Sequence, residues 1–363
     1  MSVRSSQIIS YEELKNGSYV VENDIYDIAA YMTETRRRAF LACPNNTDHS
    51  KTAMYLMKVD GDVVGRTMLF ETKLKLDGEI VKGQCGSALY VHEDFRNEIG
   101  AELMMYSLMN KECDYKLSAG FTSVVLPMYR KIKYVVFDIP EYIKLRSFRC
   151  IFDSFGIKGA LLKMTTGIAD FFMRVYDLSW NMKVKRLKKK YDVRKENIVP
   201  NWAGDMATND GHRYMECHDR DWLQWVLDYN FNDGPDNIQS YYSIYDKKGN
   251  PKGFFMTKIR EIESAGRYNR HLRGSVFEWG SNNAELNESA LDLLALSTFA
   301  KDVDIVVTVS NSKEVESRLK RAGFVRHGSF QIAFKDKKKK MGESISDESM
   351  WRLRYGYSDT VLS

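Results

Sequence analysis

The sequence predicts an α/β protein with mixed sheets, built from two similar halves that a helical segment joins. Strand-like and helix-like apolar patterns alternate through residues 1–145, and the same order of elements recurs through residues 196–340. Residues 146–195 between them are basic and helical in pattern. Residues 341–363 follow the second half as a C-terminal tail. The chain of 363 residues is long enough for two domains of about 100–200 residues each.

The first half opens with paired strands, because two apolar runs flank the turn sequence Asp60-Gly61. A second turn at Asp77-Gly78 leads to a third strand, and the apolar spacing then changes to that of a helix. Residues 120–126 read GFTSVVL and predict one more strand. The other predicted strands cover 53–58, 63–69 and 86–91, and the predicted helix covers 99–109.

The junction between the third strand and the helix has the features of a phosphate-binding site. A loop after a strand leaves backbone N–H groups unpaired at a helix N-terminus, where the helix dipole is positive. Gly100 and Ala101 allow a phosphate to approach the backbone closely, and Arg96 adds a positive charge. The junction therefore predicts a pyrophosphate site, although an ordinary strand–loop–helix connection has the same pattern.

Residues 91–104, VHEDFRNEIGAELM, resemble the acyl-CoA motif of the GNAT N-acyltransferase family, R/Q-x-x-G-x-G/A after a strand. The motif here is one residue shorter, so the position of the usual first glycine falls either on the gap or on Glu98. Residues 57–65, MKVDGDVVG, are similar to the paired strands of that family. Residues 126–132 and 139–144 are similar to segments of GNAT members from bacterial surface-polysaccharide (amino-sugar) pathways.

The resemblance implies two tandem GNAT-like domains, the first of which binds acetyl-CoA or another acyl-CoA as co-substrate, with no metal. In that family the strand before the phosphate loop contacts the co-substrate through its backbone. The implied cofactor-binding residues are Leu89, Tyr90, Val91, Arg96, Asn97, Ile99, Gly100 and Ala101.

Acyl transfer to an amine needs a proton donor for the departing thiolate and a route for the amine proton. In the GNAT family a tyrosine in a later segment often protonates the thiolate, and Tyr129 is the matching residue. Glu71, His92 and Glu278 are candidate bases, although water alone suffices for an amine that is partly neutral. Each of these three also has an ordinary interpretation as a surface or ion-paired residue.

The second half repeats the order of elements without the phosphate-binding motif. Residues 221–225, DWLQW, are similar to the segment that begins the second unit of tandem GNAT proteins. After Trp279 the chain reads GSNNAELNES, with neither an arginine nor a G-x-G pattern. A helix over 312–322, with Ser312 as its N-cap, leads to a final strand. We therefore expect the first half to hold the acyl-CoA and the second to form a wall of the acceptor pocket.

The net charge of +5 is unevenly distributed along the chain. Residues 146–190 contain eleven basic and three acidic residues, a net charge of +8. Apolar residues recur there at helical spacing, and Gly156 and Gly159 indicate a break between two helices. Three interpretations stay open: a connector packed on both domains, a helix on an anionic membrane surface, or a helix that binds a partner or a second copy. So small a total charge gives little support for nucleic-acid binding.

The five cysteines are odd in number and widely spaced, and no C-x-x-C motif occurs, which argues against disulfides and a structural zinc site. The longest run without a charged residue, 117–129, spans 13 residues, against about 20 for a membrane-spanning helix. No secretory signal is visible at the N-terminus. We therefore expect a cytoplasmic protein with reduced thiols, in peripheral contact with a membrane if the basic segment binds one.

The leading functional hypothesis is an acyl-CoA-dependent N-acyltransferase. By analogy with the polysaccharide-pathway members, its acceptor is expected to be a small amine, a nucleotide-linked amino sugar, that attacks the thioester directly in a ternary complex. One alternative is a FemAB-like aminoacyltransferase at the membrane surface, which the basic segment suits. The other is a non-catalytic protein on a decayed GNAT scaffold, which Glu98 suits. The oligomeric state stays open.

Overall fold

The computed structural model describes residues 2–209, 211–230, 237–263, 270–281, 286–299 and 303–358. Its dominant feature is one mixed β-sheet that runs through both halves of the described chain. The strands of this sheet are β1 (Arg4–Ser10), β2 (Thr52–Val59), β3 (Asp62–Leu76), β4 (Glu79–Val91), β5 (Tyr115–Ala119), β6 (Val135–Leu145), β7 (Tyr191–Glu196), β8 (Tyr214–Glu216), β9 (Ile238–Asp246), β10 (Pro251–Ile262), β11 (His271–Ser281), β12 (Ile305–Val309) and β13 (Val325–Asp336).

Helices alternate with these strands, so the predicted α/β class with mixed strand directions is confirmed. The helices of the described residues are α1 (Tyr11–Asn16), α2 (Glu34–Leu41), α3 (Arg96–Met109), α4 (Leu126–Lys131), α5 (Arg149–Ser154), α6 (Gly159–Tyr176), α7 (Leu178–Lys190), α8 (Asn201–Thr208), α9 (Arg220–Asp228), α10 (Glu288–Leu296) and α11 (Lys313–Arg321). Short 3₁₀ helices lie at Ala29–Tyr31, Glu93–Phe95, Gly342–Ser346 and Glu348–Met350.

The two halves exchange their last strands within this sheet. The strand order is β1-β2-β3-β4-β5-β13-β6-β12-β11-β10-β9-β7, and β8 pairs with β3 at the side. The late strand β13 therefore pairs with both β5 and β6, while β6, from the first half, pairs with β13 and β12. A division of the chain at residue 145 thus separates segments that share one sheet.

The tight turns and one helix cap form where the sequence predicts them. Asp60 and Gly61, between β2 and β3, have positive φ angles of 51° and 98°, as a two-residue hairpin turn requires. Asp77 and Gly78, between β3 and β4, repeat the arrangement with 54° and 88°. Ser312 caps α11, since its side chain accepts a hydrogen bond from a backbone N–H of the first turn.

Two elements of the first half lie at positions other than those predicted. The strand expected at 120–126 is wrong: this segment is a turn followed by the start of α4, and the strand is β5, which ends at Ala119. The residues of β5, YKLSA, include lysine and serine, so the apolar pattern favoured the β-branched run that follows. The helix expected from residue 99 begins at Arg96, because the 3₁₀ turn Glu93–Phe95 leads directly into it.

The basic segment forms α5, α6 and α7, with a break where its glycines predict one. Gly156 and Gly159 have positive φ angles of 78° and 63°, which glycine adopts without strain. Helix α7 is fixed to the second half, because Trp180 and Leu187 pack against the apolar core there. No helix among the described residues is long and apolar enough to cross a membrane.

The segment after β13 belongs to the core. Trp351, Leu353 and Tyr357 are each 1% exposed and lie in an apolar cluster that draws residues from both halves. The Trp351 ring lies 4.9 Å from the ring of Phe334 in β13. The described part of the predicted C-terminal tail, up to Ser358, thus packs between the two halves, while 359–363 lie outside the described residues.

Candidate active site

The candidate site is an opening between two parallel strands of the first half. β4 and β5 pair over three residues, from Gly83–Tyr115 to Cys85–Leu117. Beyond that point β4 continues without pairing with β5, so the two strands diverge. Because buried backbone N–H and C=O groups need partners, the facing edges can bind an extended ligand that carries amides.

A β-bulge in β4 shapes one wall of this opening. The register with β3 shifts here, so that Thr67 alone faces Ala88 and Leu89. Ala88 has a φ of +49°, in the left-handed region that residues other than glycine rarely adopt. A bulge takes backbone groups out of the ladder and re-aims them. Here it brings Ala88 and Leu89 to the gap between the strands, where both line a cavity.

The cavity between the diverging strands has a volume of about 260 Å³, just below the range of about 300–1,000 Å³ that is usual for ligand pockets. Its lining combines hydroxyl groups with aromatic rings, which suits a narrow chain that carries both amides and methylene groups. The lining residues are Thr67, Gly86, Ser87, Ala88, Leu89, Ser107, Lys116, Leu117, Ser118, Ala119, Gly120, Phe121, Thr122, Val125, Tyr129 and Tyr134.

Tyr129 lies in this cavity. It sits in the short helix α4, and its ring packs 4.4 Å from Phe121 and 4.9 Å from Tyr134, measured between ring centroids. The Tyr129 hydroxyl donates a hydrogen bond of 2.7 Å to Oγ of Ser118 on β5. Burial raises the pKa of Tyr134, which keeps that second phenol protonated. The cavity therefore contains a positioned phenolic proton donor.

Lys116 is the residue of this cavity that the sequence reasoning missed. Its side chain is 2% exposed, and the ammonium donates to the side-chain carbonyl of Gln84 on β4. Burial lowers the pKa of Lys116 to about 8, because the charged form is poorly solvated there. The signal in the sequence was a lysine inside a five-residue strand. Without the fold, a buried lysine cannot be distinguished from a lysine that is exposed to solvent.

Helix α3 begins directly after the diverging end of β4. The N–H of Phe95 bonds to the His92 carbonyl, and the N–H of Arg96 bonds to the Glu93 carbonyl. Gly100 lies in the second turn, where N–H groups bond within the helix. The first turn, rather than Gly100, therefore provides the backbone donors at this helix end.

Two backbone N–H groups of that first turn, those of Asn97 and Glu98, have no acceptor within the helix. The side chain of Arg96 is exposed, and its Nε donates to the Val91 carbonyl at 3.2 Å. A Cβ added to Gly100 would meet nothing within 4 Å, so the surface above it is open. The arrangement can hold an anion between the arginine and the helix end.

The remaining predicted cofactor residues differ in exposure. Val91 and Ile99 are buried in an apolar cluster with Leu103, so only their backbones are available to a ligand. Tyr90 is 37% exposed, and the Arg66 guanidinium lies 4.8 Å above its ring. Ala101 lies in the second turn of α3.

Glu71 and His92 both lie outside the cavity lining. The carboxylate of Glu71 is buried and ion-paired with Lys51, and its Oε2 accepts no hydrogen bond from the described residues. The ring of His92 stacks on Tyr26 at 4.1 Å, and its Nδ1 lies 3.6 Å from a carboxylate oxygen of Asp94. Neither side chain is placed beside Tyr129.

The third candidate base, Glu278, belongs to a buried ionic network. One carboxylate oxygen bonds to Nδ1 of His218, and the other accepts a 2.6 Å hydrogen bond from Arg352. Nε2 of His218 lies 3.2 Å from Glu216, and its ring stacks on Trp222 at 3.5 Å. The four ionisable side chains are each at most 2% exposed.

The charged partners in this network shift two pKa values. Burial opposes ionisation of Glu278, but Arg352 and His218 lower its pKa to about 2. Burial likewise opposes protonation of His218, but the carboxylates of Glu278 and Glu216 raise its pKa above the ordinary value. A carboxylate paired on both oxygens is a weak base, so the network is better suited to hold structure than to accept a proton.

The C-terminal segment is tied to β11 and β8 through this network. The N–H of Gly356 donates to the Phe277 carbonyl at 2.9 Å, and the Arg354 guanidinium lies 4.2 Å above the Trp279 ring. The N–H of Ser358 donates to Oε2 of Glu216 at 2.9 Å. None of these contacts was predicted, because the partners are separated by up to 142 residues.

The whole-chain fold is similar to those of solved N-acyltransferases. N-myristoyltransferase from Saccharomyces cerevisiae with bound myristoyl-CoA matches 93% of this chain and 83% of its own, with a TM-score of 0.54 and 11% identity. A GCN5-related N-acetyltransferase from Anabaena variabilis matches 92% of this chain and 73% of its own, with a TM-score of 0.53 and 11% identity. No protein-family model and no curated protein matches this chain.

The fold of this chain is therefore GNAT-like. The predicted tandem GNAT-like architecture is thereby confirmed, since each of these two neighbours matches 92% or more of this chain. At 11% identity the similarity establishes the fold, and the substrates have to be inferred from the geometry of the site.

Proposed function

We propose that this protein is an acyl-CoA-dependent N-acyltransferase. The observation that carries the proposal is the opening between β4 and β5, with a bulge at Ala88–Leu89 and the buried hydroxyl of Tyr129 in one cavity. The neighbour with bound myristoyl-CoA supports acyl-CoA as the co-substrate. The cavity lining contains a proton donor and backbone edges, which are the parts that acyl transfer from a thioester requires.

In this proposal the pantetheine arm lies between the strands and bonds to the backbone of Leu89, Tyr90 and Val91 at the exposed edge of β4. The pyrophosphate lies over the first turns of α3, near Arg96 and the N–H groups of Asn97 and Glu98. Gly100 and Ala101 leave room for it, because neither presents more than a methyl group. Ile99 supports the turn from the core.

The acceptor amine attacks the thioester carbonyl carbon directly in a ternary complex. A C–N bond forms, the C–S bond breaks, and the thiolate of CoA takes a proton from the Tyr129 hydroxyl. Ser118, which now accepts from that hydroxyl, can then donate a hydrogen bond to the phenolate oxygen, and the phenolate regains a proton from water. We assign removal of the amine proton to water, because Glu71, His92 and Glu278 lie outside the cavity lining.

For the acceptor we propose a small amine, a nucleotide-linked amino sugar, that binds where the second half faces the opening. Pockets form preferentially where two units meet. Glu278 and Trp279 lie in β11 of the second half and are held by the C-terminal segment, so we propose that they support this wall. The reaction is proposed to take place in the cytoplasm, where nucleotide-activated sugars and acyl-CoA are both available.

The test is a calorimetric titration of the full chain with acetyl-CoA, followed by mass spectrometry of a nucleotide-linked amino sugar incubated with both. We expect acetyl-CoA binding and a product heavier by one acetyl group. Gly100→Asp, which puts a carboxylate against the pyrophosphate, should weaken binding about tenfold or more. Gly167→Asp is the matched control, since that helix glycine also has nothing within 4 Å of an added Cβ.

The same titration separates the alternatives. Binding that Gly100→Asp leaves unchanged contradicts the proposed CoA site. Absence of acetyl-CoA binding in the folded protein supports the non-catalytic interpretation. Absence of acetyl-CoA binding together with transfer from aminoacyl-tRNA supports the FemAB-like aminoacyltransferase.

A further inference from the structure

Helix α6 exposes a continuous apolar stripe. Its apolar residues recur three and four positions apart, which places them on one face. The stripe begins before α6 and continues into α7, and each of its side chains is 48–78% exposed. Its residues are Phe155, Leu161, Met164, Ile168, Phe171, Phe172, Val175, Leu178 and Met182. Soluble proteins rarely leave so long an apolar patch uncovered, so it marks an interaction surface.

Polar contacts on the other sides of α6 hold the stripe outward. Asp170 accepts a 3.1 Å hydrogen bond from the N–H of Phe148, which fixes α6 to the segment before α5. Asp177, between α6 and α7, is ion-paired with Lys144 of β6, a side chain only 3% exposed. These two contacts therefore fix the orientation of the stripe.

Basic side chains surround the stripe at both ends. The segment 146–190 has a net charge of +8, whereas the whole chain has +5. The exposed cations that flank the stripe are Lys158, Lys163, Lys183, Lys185, Arg186, Lys188 and Lys189. An apolar face bordered by lysine and arginine matches a surface that is apolar inside and negative at its edge.

We propose that the stripe on α6 and α7 docks the protein onto the surface of an anionic lipid bilayer. The helix lies in the plane of the interface, with its apolar face inserted about 5–10 Å below the headgroups. Each lysine or arginine near an anionic surface contributes about 1 kcal/mol. The proposal goes beyond acyl transfer and does not depend on it, because no residue of the stripe lines the β4–β5 cavity.

The positive charge of this segment distinguishes an anionic bilayer from the other molecules that could cover the stripe. A second copy would bring two segments of +8 together, and like charges repel across the interface. A nucleic acid would match the charge but would leave Phe171 and Phe172, which are 60% and 66% exposed, without apolar partners. An anionic bilayer satisfies both features of the segment.

The experiment is flotation of the full chain with phosphatidylcholine vesicles, with and without about 30% phosphatidylglycerol. We expect binding to the anionic vesicles, weaker binding in high salt, and little binding to the neutral ones. The double variant Phe171→Asp/Phe172→Asp should reduce the affinity at least about tenfold. Lys185→Gln/Lys188→Gln/Lys189→Gln should reduce the preference for anionic lipid.

The matched control is Val20→Asp/Ile25→Asp, which adds the same charges at two apolar positions that are 68% and 64% exposed elsewhere. It should bind vesicles like the wild type. Thermal unfolding of the Phe171→Asp/Phe172→Asp protein shows that it is folded, and acetyl-CoA titration tests acyl-CoA binding separately. The proposal is overturned if the wild type ignores anionic vesicles, if the aspartates leave binding unchanged, or if they dissociate a dimer in a protein that binds no vesicles.

Discussion

β4 and β5 in the first half, and β11 and β12 in the second, each pair in parallel over three residues and then diverge. The register with the preceding strand shifts at the divergence in both halves. In the first half the divergence surrounds the 260 Å³ cavity with Tyr129 in it. In the second half the C-terminal segment packs against the diverging strand, with Gly356 bonded to Phe277 and Arg352 bonded to Glu278.

Two residues at matching register positions differ between the openings. When the two openings are aligned at their last parallel pairs, Val276 of the second half corresponds to Gly86 of the first. Val306 of the second half likewise corresponds to Lys116 of the first. The first position has a buried valine side chain in place of glycine, and the second has valine in place of a buried cation. The same strand geometry therefore has two outcomes: the first opening encloses a cavity, and the second is covered by the chain itself.

The largest expected effect is at the closed opening. Arg352→Ala removes the guanidinium that pairs with Glu278 and leaves a buried carboxylate less compensated. We expect a loss of about 3–5 kcal/mol in the free energy of unfolding, measured by denaturant titration. Lys320→Ala, which breaks an exposed ion pair with Glu316 in α11, is the control and should cost about 0–1 kcal/mol. An Arg352→Ala protein as stable as the wild type would show that the network does not hold the second half closed.

The second effect concerns Lys116 at the open site. Its pKa falls from 10.5 to about 8 on folding, so the unfolded chain binds more protons between those pH values and stability rises with pH. The shift corresponds to about 3 kcal/mol. Lys116→Met removes the cost of the buried charge. Its stability relative to the wild type should therefore be highest at pH 7 and decline by about that amount toward pH 10.5.

Denaturant titrations of Lys116→Met and the wild type at several pH values measure this difference in stability. The control is Lys313→Met at an exposed position of α11, which removes a lysine and leaves the buried one in place. The contribution of His218, at the closed opening, to stability changes with pH in the opposite direction. Its pKa is raised, so its contribution is complete below pH 6.5 and is lost as the pH rises through the raised value. A Lys116→Met difference that does not change with pH would mean that Lys116 is solvated.

The third effect is on catalysis. Tyr129→Phe removes the proposed proton donor and keeps the ring that packs on Phe121. We expect kcat for acyl transfer to fall about 100-fold, with acetyl-CoA affinity nearly unchanged. Tyr115→Phe, in β5 but outside the cavity lining, is the control and should retain turnover. Wild-type turnover by Tyr129→Phe at saturating substrate would remove Tyr129 from the acid role.

Local features of this fold were predictable from the sequence, because their causes are local. The positive-φ turns at Asp60-Gly61 and Asp77-Gly78 and the cap at Ser312 depend on neighbouring residues alone. The place of β13 between β5 and β6 depends on pairing across the whole chain, which no window of sequence contains. At the site, Tyr129 was found through a motif. Lys116 was missed, because burial decides its chemistry and the neighbouring strands decide its burial.

The central claim is that the opening between β4 and β5, rather than its counterpart, holds the acyl-CoA. Gly86→Val tests it most directly, because it copies into the open site the valine of the closed one. A Cβ on Gly86 meets only Oγ of Ser107, at 3.7 Å, and Gly86 lines the cavity, so we expect valine to take up space in it. The matched control is Gly328→Val in β13, where an added Cβ has nothing within 4 Å.

The measurement is calorimetric titration of acetyl-CoA into the three folded proteins, with thermal unfolding recorded for each. We expect Gly86→Val to keep the unfolding temperature and to lose at least about tenfold in affinity, a change of about 1.4 kcal/mol. Gly328→Val should bind like the wild type. Wild-type affinity in folded Gly86→Val would contradict the account, because the ligand would then bind outside the β4–β5 opening.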